Sequence, residues 1–479
     1  MQNKVQLITY VDRILRNGNI RSLHSLLSNE LKDCFGTVHM LPFFHPIDGA
    51  DAGFDPIDHT LVDPRLGTWE DVKALSEDID VMADLIVNHV SALSPQYQDY
   101  HSKGEASDYA SLFLTMSSVF PKGASEAELL KIYRPRPGLP FTVKTLADGS
   151  SQLFWTTFTP NQLDINIESE SGKQYLSGIL NVFSKAGIKS IRMDATGYAI
   201  KRAGTNCFML PETYDFIDSF SEQAHALGIE VLVEIHSYYM DQIEIAKKVD
   251  WVYDFALPPL ILHAIFRKTS KYLVKWLEIA PRNCLTVLDT HDGIGVIDVG
   301  SGTDPSTQSG LLDPIEIDFL VEEIHKKSRG ESKLATGAAA SNLDLYQVNC
   351  TFFDALGKNE QSYLLARVLQ FFSPGIPQVY YVGLLGGSND LELLARTNVG
   401  RDINRQYFSK EEVNQQLHSQ MVQSLVELIR FRNTHKAFNG SFALAAKDEN
   451  HLTLTWTHEN EFATLEVDFD QLMYHIHSS

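Results

Sequence analysis

Cysteine is scarce in this chain. Four residues in 479, Cys34, Cys207, Cys284 and Cys350, lie far apart, with no Cys-x-x-Cys pair. That argues against a disulfide-stapled fold or a zinc knuckle, and a chain this long buries enough core to need neither. The thiols are expected to be core residues in a reducing compartment. Basic residues are also few: 40 Lys and Arg stand against 61 Asp and Glu, a formal net charge of −21. Nucleic-acid affinity is built largely from Lys and Arg on phosphates, and an anionic membrane surface asks for the same residues. Neither partner is expected. No apolar run approaches the roughly 20 residues of a membrane span, and the start, Met1 to Tyr10, lacks the apolar region of a signal peptide. An acidic, soluble, cytoplasmic protein is expected.

A hydrophobic content of 44% with 10% aromatics marks a folded chain. Eight short β-rich runs recur along it: Val5 to Tyr10, Val38 to Phe44, Val81 to Val87, Ile188 to Met193, Ile229 to Val233, Val252 to Ala256, Cys284 to Leu288 and Ile376 to Val382. Most lack clean polar alternation, as strands buried on both faces do. Helical periodicity fills most intervals, as in 171–186, 211–227 and 361–372, with Gly187, Gly228 and Gly375 placed as stops. Strand and helix alternating eight times predicts a parallel (β/α)8 barrel. An open doubly wound sheet is the competitor, but no Gly-x-Gly-x-x-Gly follows the first run.

Two intervals are too long for a crossover helix alone. The first holds the Pro/Arg-rich stretch Tyr133 to Pro140 and a strand-like Leu153 to Phe158, and reads as an inserted small domain. The second is rich in Gly, Ser, Thr, Asp and Ala and reads as loop-dominated. After Phe438 the runs Ser441 to Ala445, His451 to Trp456 and Phe462 to Val467 alternate, predicting a small antiparallel sheet. The expected organisation is a barrel over 1–86, 168–292 and 358–437, insertions over 87–167 and 293–357, and a C-terminal β domain over 438–479.

Polar residues gather where strands end. The third run closes with Asn88-His89, the fourth with Arg192-Met193-Asp194, the fifth with Glu234-Ile235-His236 and the seventh with Asp289-Thr290-His291-Asp292. Each acid alone suits a helix cap or a loop ion pair. Four strands delivering the same chemistry together is a stronger signal. Crowded carboxylates need a cation or a proton, and Arg192, two residues before Asp194 on a strand, faces the same way and is expected to keep Asp194 ionised. The histidines are too dispersed for a protein-only metal cage, so no metal or cofactor is expected. One ionised and one protonated carboxyl is what glycoside chemistry requires.

The segments Asp84 to His89, Ile191 to Asp194, Val233 to His236 and Leu288 to Asp292 resemble, in order and spacing, the four signature regions of the α-amylase family of glycoside hydrolases. The strings Phe43 to Pro56, Tyr133 to Gly138, Ser341 to Gln347 and Asn398 to Arg405 are similar to a disaccharide phosphorylase branch of that family, over roughly the first 435 residues. The resemblance implies reversible, retaining glucosyl transfer from sucrose to phosphate, giving α-D-glucose 1-phosphate and fructose, by a monomer or homodimer. Sucrose 6′-phosphate and glucosylglycerol are the alternative substrates. It also implies roles: Asp194 as nucleophile, Glu234 as general acid/base and Asp292 as third carboxylate. Asp51, His89, Arg192, His291 and Arg401 would hold the glucosyl ring, with Phe54 and Phe158 as an apolar platform. Tyr133, Arg136, Tyr198, His236, Asp344, Leu345, Tyr346 and Gln347 would line the acceptor side. Where many amylases carry Lys-His after the nucleophile this chain has Gly197-Tyr198, and Asn88, which resembles a calcium-linked position, has few other hard-oxygen ligands near it in sequence.

Overall fold

All eight β-rich runs form parallel strands: β1 (Gln6–Thr9), β2 (Thr37–Met40), β3 (Asp80–Ile86), β4 (Ser190–Asp194), β5 (Glu230–Val233), β6 (Trp251–Asp254), β7 (Cys284–Thr286) and β8 (Ile376–Tyr380). They are hydrogen-bonded in chain order, with β8 returning to β1, and close into a barrel. The computed structural model describes residues 1–135, 138–302, 306–336 and 347–479. The chain packs as two units, one of Met1–His39, His236–Lys247 and Trp251–Ser479, the other of Met40–Ile235 and Lys248–Asp250.

The strands are short and almost wholly buried because both faces meet apolar layers. The crossover helices begin where the sequence offers caps. Ser169 accepts from Gly172 N ahead of the helix Glu170–Lys185, Pro211 opens Pro211–Ala226, and Asn359 caps Glu360–Phe372. Gly187 and Gly228 follow the first two helices in the left-handed region, as stops should. Gly375 also has a positive φ, 119°, but is not a helix stop. Its helix ends at Phe372, and the glycine is needed because a Cβ there would lie 2.6 Å from the Cys284 carbonyl oxygen.

The interval 87–167 contains the helix Pro95–Lys103, two shorter helices and two antiparallel strand pairs, His89–Ser91 with Gln162–Asp164 and Phe141–Thr145 with Ser151–Trp155. Leu114, Phe120, Ile132 and Trp155 of this interval form a core together with Cys207, from the stretch after β4. The interval 293–357 is less loop-dominated than its composition suggests. Asp313 caps a 14-residue helix, Pro314–Lys327, and Ile294–Gly295 pairs with Gln347–Val348. The flanking Gly- and Ser-rich stretches mask that helix, although Asp-Pro at its start is a legible cap. We take the boundaries 87–167 and 293–357 for the two insertions as a proposal. The C-terminal sheet has four antiparallel strands, β9 (Ser441–Ala446), β10 (His451–His458), β11 (Glu461–Asp468) and β12 (Met473–Ser478), one more than the three expected. Among the described residues no helix is long and apolar enough to cross a membrane.

Candidate active site

In the unit holding β4 and β5, strand register sets the charges. Arg192 and Asp194 project to one side of β4, and β3 places Asp84 opposite Arg192. Arg192 Nη1 donates to Asp84 Oδ1 at 2.6 Å and to Asp194 Oδ1 at 2.7 Å, while Nη2 lies 3.7 Å from Glu234 Oε1. Glu234 follows β5, and its Oε2 accepts from Ala195 N at 3.3 Å. One buried guanidinium therefore faces three carboxylates. Burial pushes the Asp194 carboxyl up to about 8; Arg192 opposes this, and Glu234 and Asp84 add to it. The expected pair of Arg192 with Asp194 forms, and it favours the ionised carboxylate against the effect of burial. Three carboxylates within reach of one buried guanidinium crowd negative charge at this point.

Around this group the unit builds an apolar wall. The Phe54 ring lies 5.5 Å from the Arg192 guanidinium. Burial keeps His89 neutral, and its Nε2 is 2.8 Å from the Phe54 carbonyl oxygen, tying the two together. Phe158 packs edge-on between His89 and Tyr198, at 5.4 and 5.2 Å. Tyr198 and Tyr133 both pack against Phe208 with tilted rings, at 4.9 and 4.6 Å. Phe208 is absent from the sequence-derived set, but the departure at position 197 is its signal: a Cβ on Gly197 would sit 2.6 Å from the Phe208 ring. Asp51 occupies a left-handed turn, φ 51°, next to Ala52 at φ 54°, a conformation an aspartate tolerates. Arg65, bonded to Asp48 and Asp63, braces that loop.

Asn88 proves to be the partner of a lysine. Lys201, 6% exposed, donates to Asn88 Oδ1 at 2.8 Å and to the Tyr198 carbonyl oxygen, and pairs with Asp164 at 2.7 Å. The fixed ammonium fills the space among these oxygens and joins the insertion to the turn after the candidate nucleophile. Nothing in the local sequence marks Lys201.

The other unit holds the remaining candidates. Thr290, His291 and Asp292 follow β7, and Arg401 Nη1 pairs with Asp292 Oδ1 at 2.8 Å. Its neighbour Asp402 instead faces Arg405 and Arg13, at 3.5 and 3.8 Å. Asn404 Nδ2 donates to the carbonyls of Thr290 and Asp292, and Arg405 Nε to that of His291. The string Asn398 to Arg405 thus grips three successive carbonyls. Behind them Arg367, fully buried, pairs with Asp289 at 2.8 Å. His236 lies flat on Phe255, with ring centroids 3.8 Å apart, and Gln347 reaches it from the paired strand. Sequence reasoning misses Asn404, Arg405 and Arg367 as supporting residues. Arg136, Asp344, Leu345 and Tyr346 lie outside the described residues.

Charged and aromatic side chains following the C-terminal ends of barrel strands mark this as a (β/α)8-barrel enzyme arrangement. The alpha-amylase catalytic-domain family matches residues 32–256. A sucrose phosphorylase of Agrobacterium vitis is 60% identical over 98% of this chain and 96% of its own length, and one of Bifidobacterium adolescentis is 53% identical over 98% and 92%. The solved sucrose 6F-phosphate phosphorylase from Thermoanaerobacter thermosaccharolyticum superposes with a TM-score of 0.91 at 36% identity, covering 100% of this chain and 96% of that one. The chain belongs to the α-amylase family and, within it, to the family of these sucrose phosphorylases.

Proposed function

We propose that this chain cleaves sucrose with phosphate, reversibly and with retention, as the relatives at 60% and 53% identity are named for doing. Asp194 attacks the anomeric carbon of the glucosyl unit while protonated Glu234 gives its proton to the departing fructosyl oxygen. The resulting β-glucosyl ester on Asp194 is opened by a phosphate oxygen, which releases α-D-glucose 1-phosphate and returns the carboxylate. Asp292, paired with Arg401, carries the third carboxylate's role. The observation that supports this most is the single Arg192 guanidinium set among Asp84, Asp194 and Glu234. It holds a nucleophilic oxygen in a fixed direction while leaving the acid pair one proton to share.

Phosphate entering near carboxylates needs a cation, and we assign Arg136 to it, because a guanidinium meets phosphate oxygens bidentately. The acceptor string Asn342 to Gln347 offers no basic side chain for a phosphorylated fructosyl group. This favours sucrose over sucrose 6′-phosphate, whose named relative is 38% identical; against glucosylglycerol the support is the lower identity of its relative, 39% beside 60% and 53%. We take the enzyme to work in the cytoplasm as a monomer or homodimer. Incubation with sucrose, with and without phosphate, tests the reading. Phosphate-dependent glucose 1-phosphate supports it, and free glucose alone, at a rate indifferent to phosphate, overturns it.

A further inference from the structure

A chain of hydrogen bonds in the second of these units belongs to no catalytic step proposed above. Gly293 N–H donates to Gln347 Oε1 at 3.1 Å, which turns the amide so that its Nε2 faces His236 Nε2 at 3.5 Å. On the other side of the ring His236 Nδ1 is 3.0 Å from Asp298 Oδ2. Asp298 Oδ1 accepts from Gln242 Nε2 at 2.8 Å and from Ser237 N at 3.3 Å. Asp298 is fully buried. A carboxylate only accepts, so Nδ1 carries a proton and donates, and in the neutral ring Nε2 is left as a lone-pair acceptor. That assignment agrees with the amide donor opposite it. The stack on Phe255, 17° from parallel, holds the ring plane. Position 295 must stay small for this pair: a Cβ there would lie 2.5 Å from Asp298 Oδ2 and 3.5 Å from His236 Nδ1.

We propose that Asp298 is a positioning residue that sets acceptor preference. By holding His236 in the Nδ1–H tautomer it keeps a lone pair on Nε2, and a donor hydroxyl takes that lone pair by displacing the long, 3.5 Å contact with the Gln347 amide. A sugar hydroxyl can donate there, whereas a bare phosphate oxygen cannot, and phosphate meets Nε2 only through its P–OH. The inference rests on the reading that His236 and Gln347 line the acceptor side. It explains why a chain that must pass the glucosyl unit to two unlike acceptors keeps a carboxylate behind this histidine, as the Asp of a catalytic triad fixes its imidazole tautomer.

Asp298→Asn is close in shape and can keep accepting from Gln242 and Ser237 while its amide hydrogens face Nδ1, which favours the Nε2–H tautomer. In the full-length enzyme with ¹⁵N-labelled histidine, the resonances lost in His236→Gln identify the ring. They are expected to report Nδ1–H in the parent and Nε2–H in Asp298→Asn. The KM for fructose, in synthesis from glucose 1-phosphate, is expected to rise roughly 3- to 10-fold, the worth of one hydrogen bond, with no matching rise in the KM for phosphate. Gly295→Ala, which crowds the same pair, should act in the same direction. Adding Asp298→Asn to His236→Gln should change little further. An unchanged tautomer, a phosphate KM that rises as much as that for fructose, or additive losses in the double variant overturn the proposal. If the parent makes no glucose 1-phosphate from sucrose, the functional reading falls instead, and the tautomer measurement still decides whether Asp298 governs His236.

Discussion

The two acidic clusters that follow the barrel strands are built on opposite electrostatic plans. Around Asp292 each acid has a cation of its own: Arg401 for Asp292, Arg367 for Asp289, and Arg13 with Arg405 for Asp402. The backbone between them is tied carbonyl by carbonyl. Around Asp194 three acids face Arg192, and burial raises the Asp194 carboxyl to about 8; it raises Asp289 too, beside an arginine of its own. A satisfied cluster holds geometry, whereas an undercompensated one stores reactivity, because its carboxyl groups must exchange protons or find a positive partner. The developing positive charge of a glucosyl cation is such a partner, so the imbalance is relieved as the transition state forms.

The largest effect that would break this comparison lies at the undercompensated side. Asp194→Ala is expected to lower kcat by at least roughly 10⁴-fold, in the range seen when a nucleophile is deleted. It should also abolish the sugar ester that mass spectrometry is expected to find on the parent enzyme. Turnover near the parent's rate in this variant would end the nucleophile assignment.

Next in size is the lysine that fixes the turn after Asp194. Lys201→Met leaves Asp164 buried with its charge unanswered, apart from the Thr157 donors. Breaking one side of a buried pair costs about 3–5 kcal/mol, read as a lowered denaturation midpoint. Asp164→Asn added to Lys201→Met should recover part of that loss. A Lys201→Met protein as stable as the parent would show that the ammonium is not what unites Asn88, Asp164 and the Tyr198 carbonyl.

On the satisfied side the expected loss is kinetic and smaller. Asn404→Ala frees the carbonyls of Thr290 and Asp292, and a misplacement of about 1 Å at a reacting group costs up to roughly 10²-fold in rate. The measurement is kcat beside KM for sucrose, with the fall expected mainly in kcat. An unchanged kcat would mean that the Arg401 pair alone holds Asp292.

What is legible in the sequence follows from these two plans. Strands buried on both faces announce themselves by unbroken Val, Ile and Leu, and the residues that close β3, β4, β5 and β7 stand in the sequence beside the strand that carries them. Arg192 and Asp194 are legible as a pair because two residues on a strand share a face. The supports are not, since each acts from far along the chain. Lys201 reaches Asn88 across 113 residues and Arg405 reaches His291 across 114. Asp298 sits in a short 3₁₀ turn with no periodic signal. Gly197 stands out as a departure, but the ring that requires it becomes visible only once Phe208 is placed.

The smallest expected effect is also the most direct test of the electrostatic contrast. An acid whose folded pKa is raised binds its proton more tightly in the native state than in the unfolded chain. Its stabilising contribution is therefore complete below the unfolded value and is lost as pH rises toward the folded one. For Asp194 that window runs from the ordinary aspartate value of 3.8 to about 8. An amide side chain cannot ionise, so Asp194→Asn escapes the loss. Asp55 and Asp254, pushed up to about 7 by burial, behave alike in both proteins and cancel in the difference. The melting temperature of Asp194→Asn minus that of the parent should be smallest below about pH 4 and grow as pH rises to about 8. Each tenfold gain in proton affinity is worth about 1.4 kcal/mol, so a difference of at least that size is expected across the range. A difference that stays flat across that range would mean that Arg192 keeps Asp194 ionised throughout. The Asp194 cluster would then be as well compensated as the Asp292 cluster.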